Sequence, residues 1–215
     1  GFLFAMKAWQ LITHDPSSPT YRRLREPLAG PRDAYGLFRP TREVRAAWLR
    51  TLEVARRLGA RLLLFQCPAR FTPTPEHVAN LRAFFTMAER ELGGRGGELR
   101  FLWEPRGRWT PEQAGAVAAE LGLVPVYDPL AAGAPAWPPG GPAGAGGVPP
   151  LAYFRLHGIG GYRYRYTDED LERLLRRCRE AEAAGAGEVF VLFNNVSMLE
   201  DARRFRRLLD SASAP

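Results

Sequence analysis

Lysine is almost missing from this 215-residue chain: Lys7 is the only one among 30 basic residues, the rest being arginine. Such a bias, alongside abundant Ala, Gly, Pro and Leu, is what a GC-rich genome writes wherever either cation would serve. The lysine that remains is either a chance survivor or a position that needs a compact, deprotonatable ammonium in place of a planar guanidinium. Cysteine is scarce too. Cys67 and Cys178 lie far apart without a C-x-x-C partner, and His14, His77 and His157 are too few and too dispersed to complete a zinc site with them. Two unpaired thiols fit a reducing cytoplasm. No apolar run approaches a membrane span, and GFLFAMKAW has no charged region ahead of its apolar residues, so neither a membrane partner nor an export signal is expected. Also missing are a G-x-G-x-x-G following a strand and any G-x-x-x-x-G-K-[ST], which removes support for dinucleotide and P-loop chemistry. With no H-x-x-x-H spacing and few rim carboxylates, no metal and no other cofactor is expected.

What is present is a well-filled core: 46% of residues are hydrophobic and 25% charged, which describes a globular chain and excludes a disordered one. The net charge of +7 and a pI near 10.0 favour anionic partners, either small phosphate-bearing or acidic molecules or nucleic acid, though an ordinary basic surface gives the same total. Short apolar runs read as strands at Phe2–Ala8, Arg61–Gln66, Glu98–Glu104, Val124–Asp128, Ala152–His157 and Glu188–Asn194. Amphipathic runs between them predict helices at Thr41–Leu58, Thr74–Leu92, Pro111–Leu121, Asp168–Ala184 and Glu200–Leu209. Thr41, Thr74, Thr110 and Thr167 suit helix starts, and Gly59, Gly93 and Gly122 suit stops. Strand and helix in steady alternation predict an α/β fold, a parallel sheet covered by helices in one domain over 1–215. Two stretches break the rhythm: Asp15–Pro40, with helical turns expected around Tyr21–Arg25, and Ala131–Pro150, a Pro/Gly-rich segment expected to be a long loop.

The polar residues of the apolar strands gather at their C-terminal ends: Lys7, then Gln66, then Glu104 with Arg106, then Asp128, then Arg155 with His157, then Asn194 with Asn195. Parallel strands bring such ends to one rim, where α/β proteins build sites from several strands at once. Glu104 is a candidate general base or a partner holding Lys7 or Arg155. His157 is a candidate proton shuttle or a hydrogen-bonded orienter. Asn194 and Asn195 either meet a ligand or cap the loop that follows. Trp109, Tyr162, Tyr164 and Tyr166 could stack on a sugar or base, although tyrosines at alternate positions also describe an edge ribbon. The arginine-rich segments Arg173–Arg179 and Arg203–Arg207 read as solvated helix faces.

Five segments, FLFAMKAWQLITH, LLLFQCPARFTPTPEHVANLRAFF, FLWEPRGRW, YFRLHG with its trailing tyrosines, and FNN, resemble the YecE-like proteins, also called domain of unknown function 72. The resemblance implies a TIM-type (β/α) barrel. It places Lys7, His14, Gln66, Glu104, Arg106, Trp109, Arg155, His157, Asn194 and Asn195 on the family's characteristic positions. The glycine-rich first strand and the Glu- and Tyr-bearing second strand of the family have no counterpart here, so the chain resembles an N-terminally truncated barrel of about six βα units, the family's strands three to eight. FNNVSMLEDA also departs from the usual FNNT and glycine, which weakens Asn195 more than Asn194. The family has no established activity. The expectation is therefore an anionic phosphate- or sugar-bearing ligand held at the C-terminal rim. Lys7, Arg106 and Arg155 act as charge clamps, Lys7, Glu104 and His157 are the catalytic candidates, and metal-free hydrolase or lyase chemistry is the reaction class. The alternative is a non-catalytic nucleic-acid-binding protein.

Overall fold

The computed structural model describes residues 2–93, 99–137 and 151–212. Its strands are β1 (Ala5–Lys7), β2 (Leu62–Gln66), β3 (Arg100–Glu104), β4 (Val124–Tyr127), β5 (Leu151–Leu156) and β6 (Glu188–Phe193). Its α-helices are α1 (Gln10–Thr13), α2 (Arg42–Leu58), α3 (Pro75–Leu92), α4 (Pro111–Glu120), α5 (Asp168–Ala183) and α6 (Met198–Ala212). The fold is α/β, as the alternating pattern predicts. The chain divides into two compact units, Gly1–Leu123 and Val124–Pro215.

In the first unit β1 pairs in parallel with β2, and β2 with β3, with Lys7 opposite Leu64 and Gln66 opposite Glu104. Partners across a parallel ladder share a face, and successive residues alternate faces. Met6, Leu63, Phe65, Phe101 and Trp103 therefore turn toward the helices, where they join Trp48 of α2 and Phe84 and Phe85 of α3 in one core. Its rings meet mostly edge to face: Phe65 lies 5.6 Å from Phe84 and 5.0 Å from Phe85, and Trp48 lies 5.6 Å from Phe101. Each such side chain contributes about 1.5–3 kcal/mol by burial, so this face fixes the register of the strands. The opposite face carries Lys7, Gln66 and Glu104.

The second unit repeats the scheme. β4 pairs with β5 and β5 with β6, again in parallel, with Arg155 opposite Leu192. Ala152, Phe154, Leu156, Val191 and Phe193 face Leu171, Leu174 and Leu175 of α5 and Phe205 of α6. Tyr153, Arg155, Phe190 and Leu192 lie on the other face, where the Tyr153 and Phe190 rings stack at 6.0 Å.

Helix starts follow the predicted caps. Thr41 Oγ1 accepts from Val44 N and Thr74 Oγ1 from His77 N, while Thr110 with Gln113 and Thr167 with Asp170 form capping boxes. Gly59 ends α2 in the left-handed conformation. The Asp15–Pro40 excursion holds 3-10 turns at Pro19–Arg23 and Arg32–Ala34. Residues 138–150 of the expected Pro/Gly loop lie outside the described residues. No helix of the described residues is long and apolar enough to cross a membrane.

One local expectation is corrected. The tyrosines after β5 form no ribbon: they lie in a loop where Tyr166 is buried with its hydroxyl accepting from Gly158 N, and Tyr164 donates to Asp170. The arginine-rich faces of α5 and α6 are exposed at Arg173, Arg176, Arg179, Arg203, Arg206 and Arg207, as expected of solvated faces. Arg177 and Arg204 are half-buried: Arg204 bonds Tyr166 O, Asp201 and Asp168, and Arg177 bonds the carbonyls of Pro129, Ala134 and Pro135.

Candidate functional site

The carboxyl ends of the first unit's strands bear a chain of polar contacts. Lys7 Nζ donates to Gln66 Oε1 at 2.5 Å, Gln66 Nε2 donates to Glu104 Oε1 at 3.2 Å, and the Arg106 guanidinium lies 3.4 Å from the same carboxylate oxygen. Glu104 is 4% exposed, Gln66 is buried, and Lys7 and Arg106 are exposed. The carboxylate thus sits in the floor of the cluster and the two cations at its surface, where a ligand anion can reach them.

Backbone geometry places the neighbouring groups. Gly107 lets the loop after β3 lie against the loop after β2: a Cβ there would stand 2.2 Å from the carbonyl oxygen of Phe71, and Trp109 Nε1 donates to that same oxygen at 2.7 Å. Trp109 also stacks on Phe71 and meets Trp103 edge to face, so its N–H and one ring face are committed to packing. His14 follows α1. Gly36, at φ +76°, passes so close that a Cβ would fall 1.9 Å from the His14 carbonyl oxygen, and Gly36 N and Phe38 N donate to Leu11 O and Ile12 O. Leu37 and Phe38 continue in the same left-handed region, a conformation side chains of their size rarely adopt. Complete burial of Phe38 among Phe65, Phe71, Phe84 and Phe85 holds it there. The His14 ring contacts Thr13 Oγ1 through Nδ1 at 2.7 Å. Burial first, then the charges of Lys7 and Arg106, hold its pKa below the ordinary imidazole value against the opposing pull of Asp15.

Lys7 and His14 open onto a cavity of about 1210 Å³ whose further walls come from the Asp15–Pro40 excursion and from α2. Trp9, Arg23, Arg25, Glu26, Arg42, Glu43 and Arg50 line it. The sequence reading singled out none of these seven. The available signal was Arg42, Ala46 and Arg50 at four-residue spacing, which sets two cations and a small residue on one helix face.

In the second unit Asp128, Arg155, His157 and Asn194 fall on one face by the same alternation. Asp128 accepts from the backbone N–H of Leu130 and of His157, at 2.9 Å each, so it braces the loops after β4 and β5. The Asn194 carboxamide lies 3.1 Å from His157 Nδ1 and thereby orients the imidazole. Arg155 is half-buried. Asn195 is fully buried and donates to Tyr164 O and Asp201 at 2.7 Å each, so its amide serves the loop before α6. Tyr162 is exposed, and its carbonyl accepts from Val196 N. Among the described residues no three His, Cys, Asp or Glu side chains gather as a metal site.

Residues 1–215 match the family model described as a protein of unknown function, DUF72. The crystal structure of a DUF72 family protein from Enterococcus faecalis is similar at 19% identity and TM-score 0.64, covering 97% of this chain and 74% of that one. A DUF72 family protein from Thermotoga maritima matches at 19% identity and TM-score 0.60 with the same shares. A xylose isomerase domain containing protein from Salmonella typhimurium matches at 16% identity and TM-score 0.51, over 84% of this chain and 72% of that one. At these identities the likeness speaks for the fold alone. No curated protein matches the sequence.

Proposed function

The chain belongs to the DUF72 family, and from that premise we propose that its polar strand ends bind an anionic, phosphate- or sugar-bearing ligand. The observation that carries the reading is the Lys7–Gln66–Glu104–Arg106 chain. Two exposed cations stand over one buried carboxylate at the ends of three parallel strands, beside a large cavity. The Gln66 amide oxygen holds the lysine ammonium in place at the strand end, on the exposed side of the cluster. In this reading Lys7 and Arg106 clamp the anion in the first unit, and Arg155 is the corresponding cation of the second. Proton transfer falls to Glu104 and to His157, which Asn194 orients, and hydrolase or lyase chemistry is the class these groups suit. The six strands correspond to strands three to eight of an eight-stranded barrel, a reading supported by a match that spans 74% of the length of each of the two DUF72 family structures.

Titration calorimetry with inorganic phosphate tests the anion site. Lys7→Met and Arg106→Gln should each weaken binding by at least about tenfold, the size of one lost charge-assisted hydrogen bond. Unchanged affinity in both variants would refute the assignment.

A further inference from the structure

The geometry points to a ligand larger than a single anion: a short single-stranded phosphodiester, with one phosphate at Lys7 and others along the arginine wall of the cavity. This rests on the proposed anion site at Lys7 and extends it outward. Five cations line the cavity, Lys7, Arg23, Arg25, Arg42 and Arg50, against two carboxylates, Glu26 and Glu43. Glu43 and Arg42 offset each other: they pair at 2.8 Å, with Glu43 packed beneath Gly30, where a Cβ would stand 2.8 Å from its Oε1, which leaves Lys7, Arg23, Arg25 and Arg50 against Glu26. Arg23, Arg25 and Arg50 have no hydrogen-bond or carboxylate partner among the described residues. Like charges gathered around one concavity repel each other and focus a field that a polyanion relieves.

Spacing separates a strand from a single phosphate. Arg42 and Arg50 are eight residues apart on α2, about 12 Å along the helix axis, and Ala46 between them leaves the wall low enough for a backbone to lie across it. Cations spread over that length of wall suit several phosphates in a row better than one. The cavity's volume of about 1210 Å³ exceeds the usual range for a small-molecule pocket. Trp9 on its wall is half-buried and offers an aromatic ring beside the phosphate path, as sequence-tolerant single-strand binders do.

Fluorescence anisotropy with labelled tetrathymidylate, run beside calorimetry with inorganic phosphate on the full chain, tests the inference. Tetrathymidylate should bind at least about tenfold more tightly than phosphate. Its affinity should fall with salt at a logarithmic slope of about −0.7 per phosphate engaged, so near −2 for three. Arg50→Gln and the double variant Arg23→Gln/Arg25→Gln should each weaken the strand about fivefold or more and flatten that slope, while phosphate affinity stays unchanged. All three arginines are exposed, so unaltered melting curves will certify the fold. Tetrathymidylate binding that equals phosphate binding, or that ignores the arginine variants, overturns the inference and leaves the anion site standing if Lys7→Met still weakens phosphate binding by about tenfold or more. Strand binding that depends on the arginines while Lys7→Met changes neither ligand supports the arginine wall and overturns the assignment of Lys7.

Discussion

Gln66 is the joint between the lysine and the carboxylate of the candidate site, and Gln66→Leu is the substitution that isolates it. Leucine has a similar volume, so the change removes two hydrogen bonds and opens little space. Lys7 is exposed and water replaces its lost acceptor. Glu104 is 4% exposed, and the donor it loses at 3.2 Å is not replaced by solvent. A hydrogen bond to a charged group contributes about 1.5–3 kcal/mol, and that is the expected cost. For a chain of this size the melting temperature should fall by about 3–12 °C. Urea denaturation followed by circular dichroism measures it, with the slope against urea unchanged because the exposed surface is unchanged. A double-mutant cycle with Glu104→Leu removes the transfer energy of the new leucines and leaves the coupling between the two side chains. A coupling below about 0.5 kcal/mol would mean that the amide and carboxylate do not cooperate in the native protein, and the polar chain would lose its centre.

Other consequences can be checked on the same protein. His14 is held neutral by burial and by neighbouring cations, so its folded pKa lies below the unfolded value of 6.5. The stability linked to it is complete above about pH 6.5 and drains away as pH falls toward the folded value, and His14→Asn should flatten that slope in urea melts between pH 7 and 5. Asp201 is fully buried and accepts from Asn195 Nδ2, Arg204 and Tyr166 N, so Asp201→Ala should cost about 3–5 kcal/mol, and a loss under about 1 kcal/mol would contradict the network. Burial pushes the Cys178 thiol up to about 12 and raises Cys67 as well. At pH 8 both should resist a thiol reagent in the native protein and react promptly in urea.

Much of the architecture was readable before any coordinates. Each strand interval overlapped its observed strand, because a short apolar run set between helical patterns has few ways to be anything else, although β2, β3 and β5 are largely buried while β1 and β6 are exposed or half-buried. Helices α2 to α5 begin where threonine caps precede them, since orphan N–H groups must be met locally. The strand-end pattern put Gln66 and Glu104 at the same edge of the sheet, and the register sets them opposite each other. What escaped the linear reading were features made by distant partners. The four-residue helix α1 is held by backbone bonds from Gly36 and Phe38. Tyr166 turns inward because Gly158 N needs an acceptor, and Arg177 and Arg204 turn from solvent toward unpaired loop carbonyls.

The candidate site divides along the same line. Residue types at strand ends are a local property, and a single sequence displays them: a lone lysine, a buried glutamate, a histidine after an arginine. Which of them touch, and which atom is left over for a ligand, depends on groups dozens of residues apart meeting at a few ångströms. That is how Gln66 comes to orient Lys7, how the Trp109 N–H is consumed by Phe71 O, and how arginines from a 3-10 turn and a helix come to share one cavity. Hydrogen bonds and charge repulsion act through space, and distance through space is what folding sets.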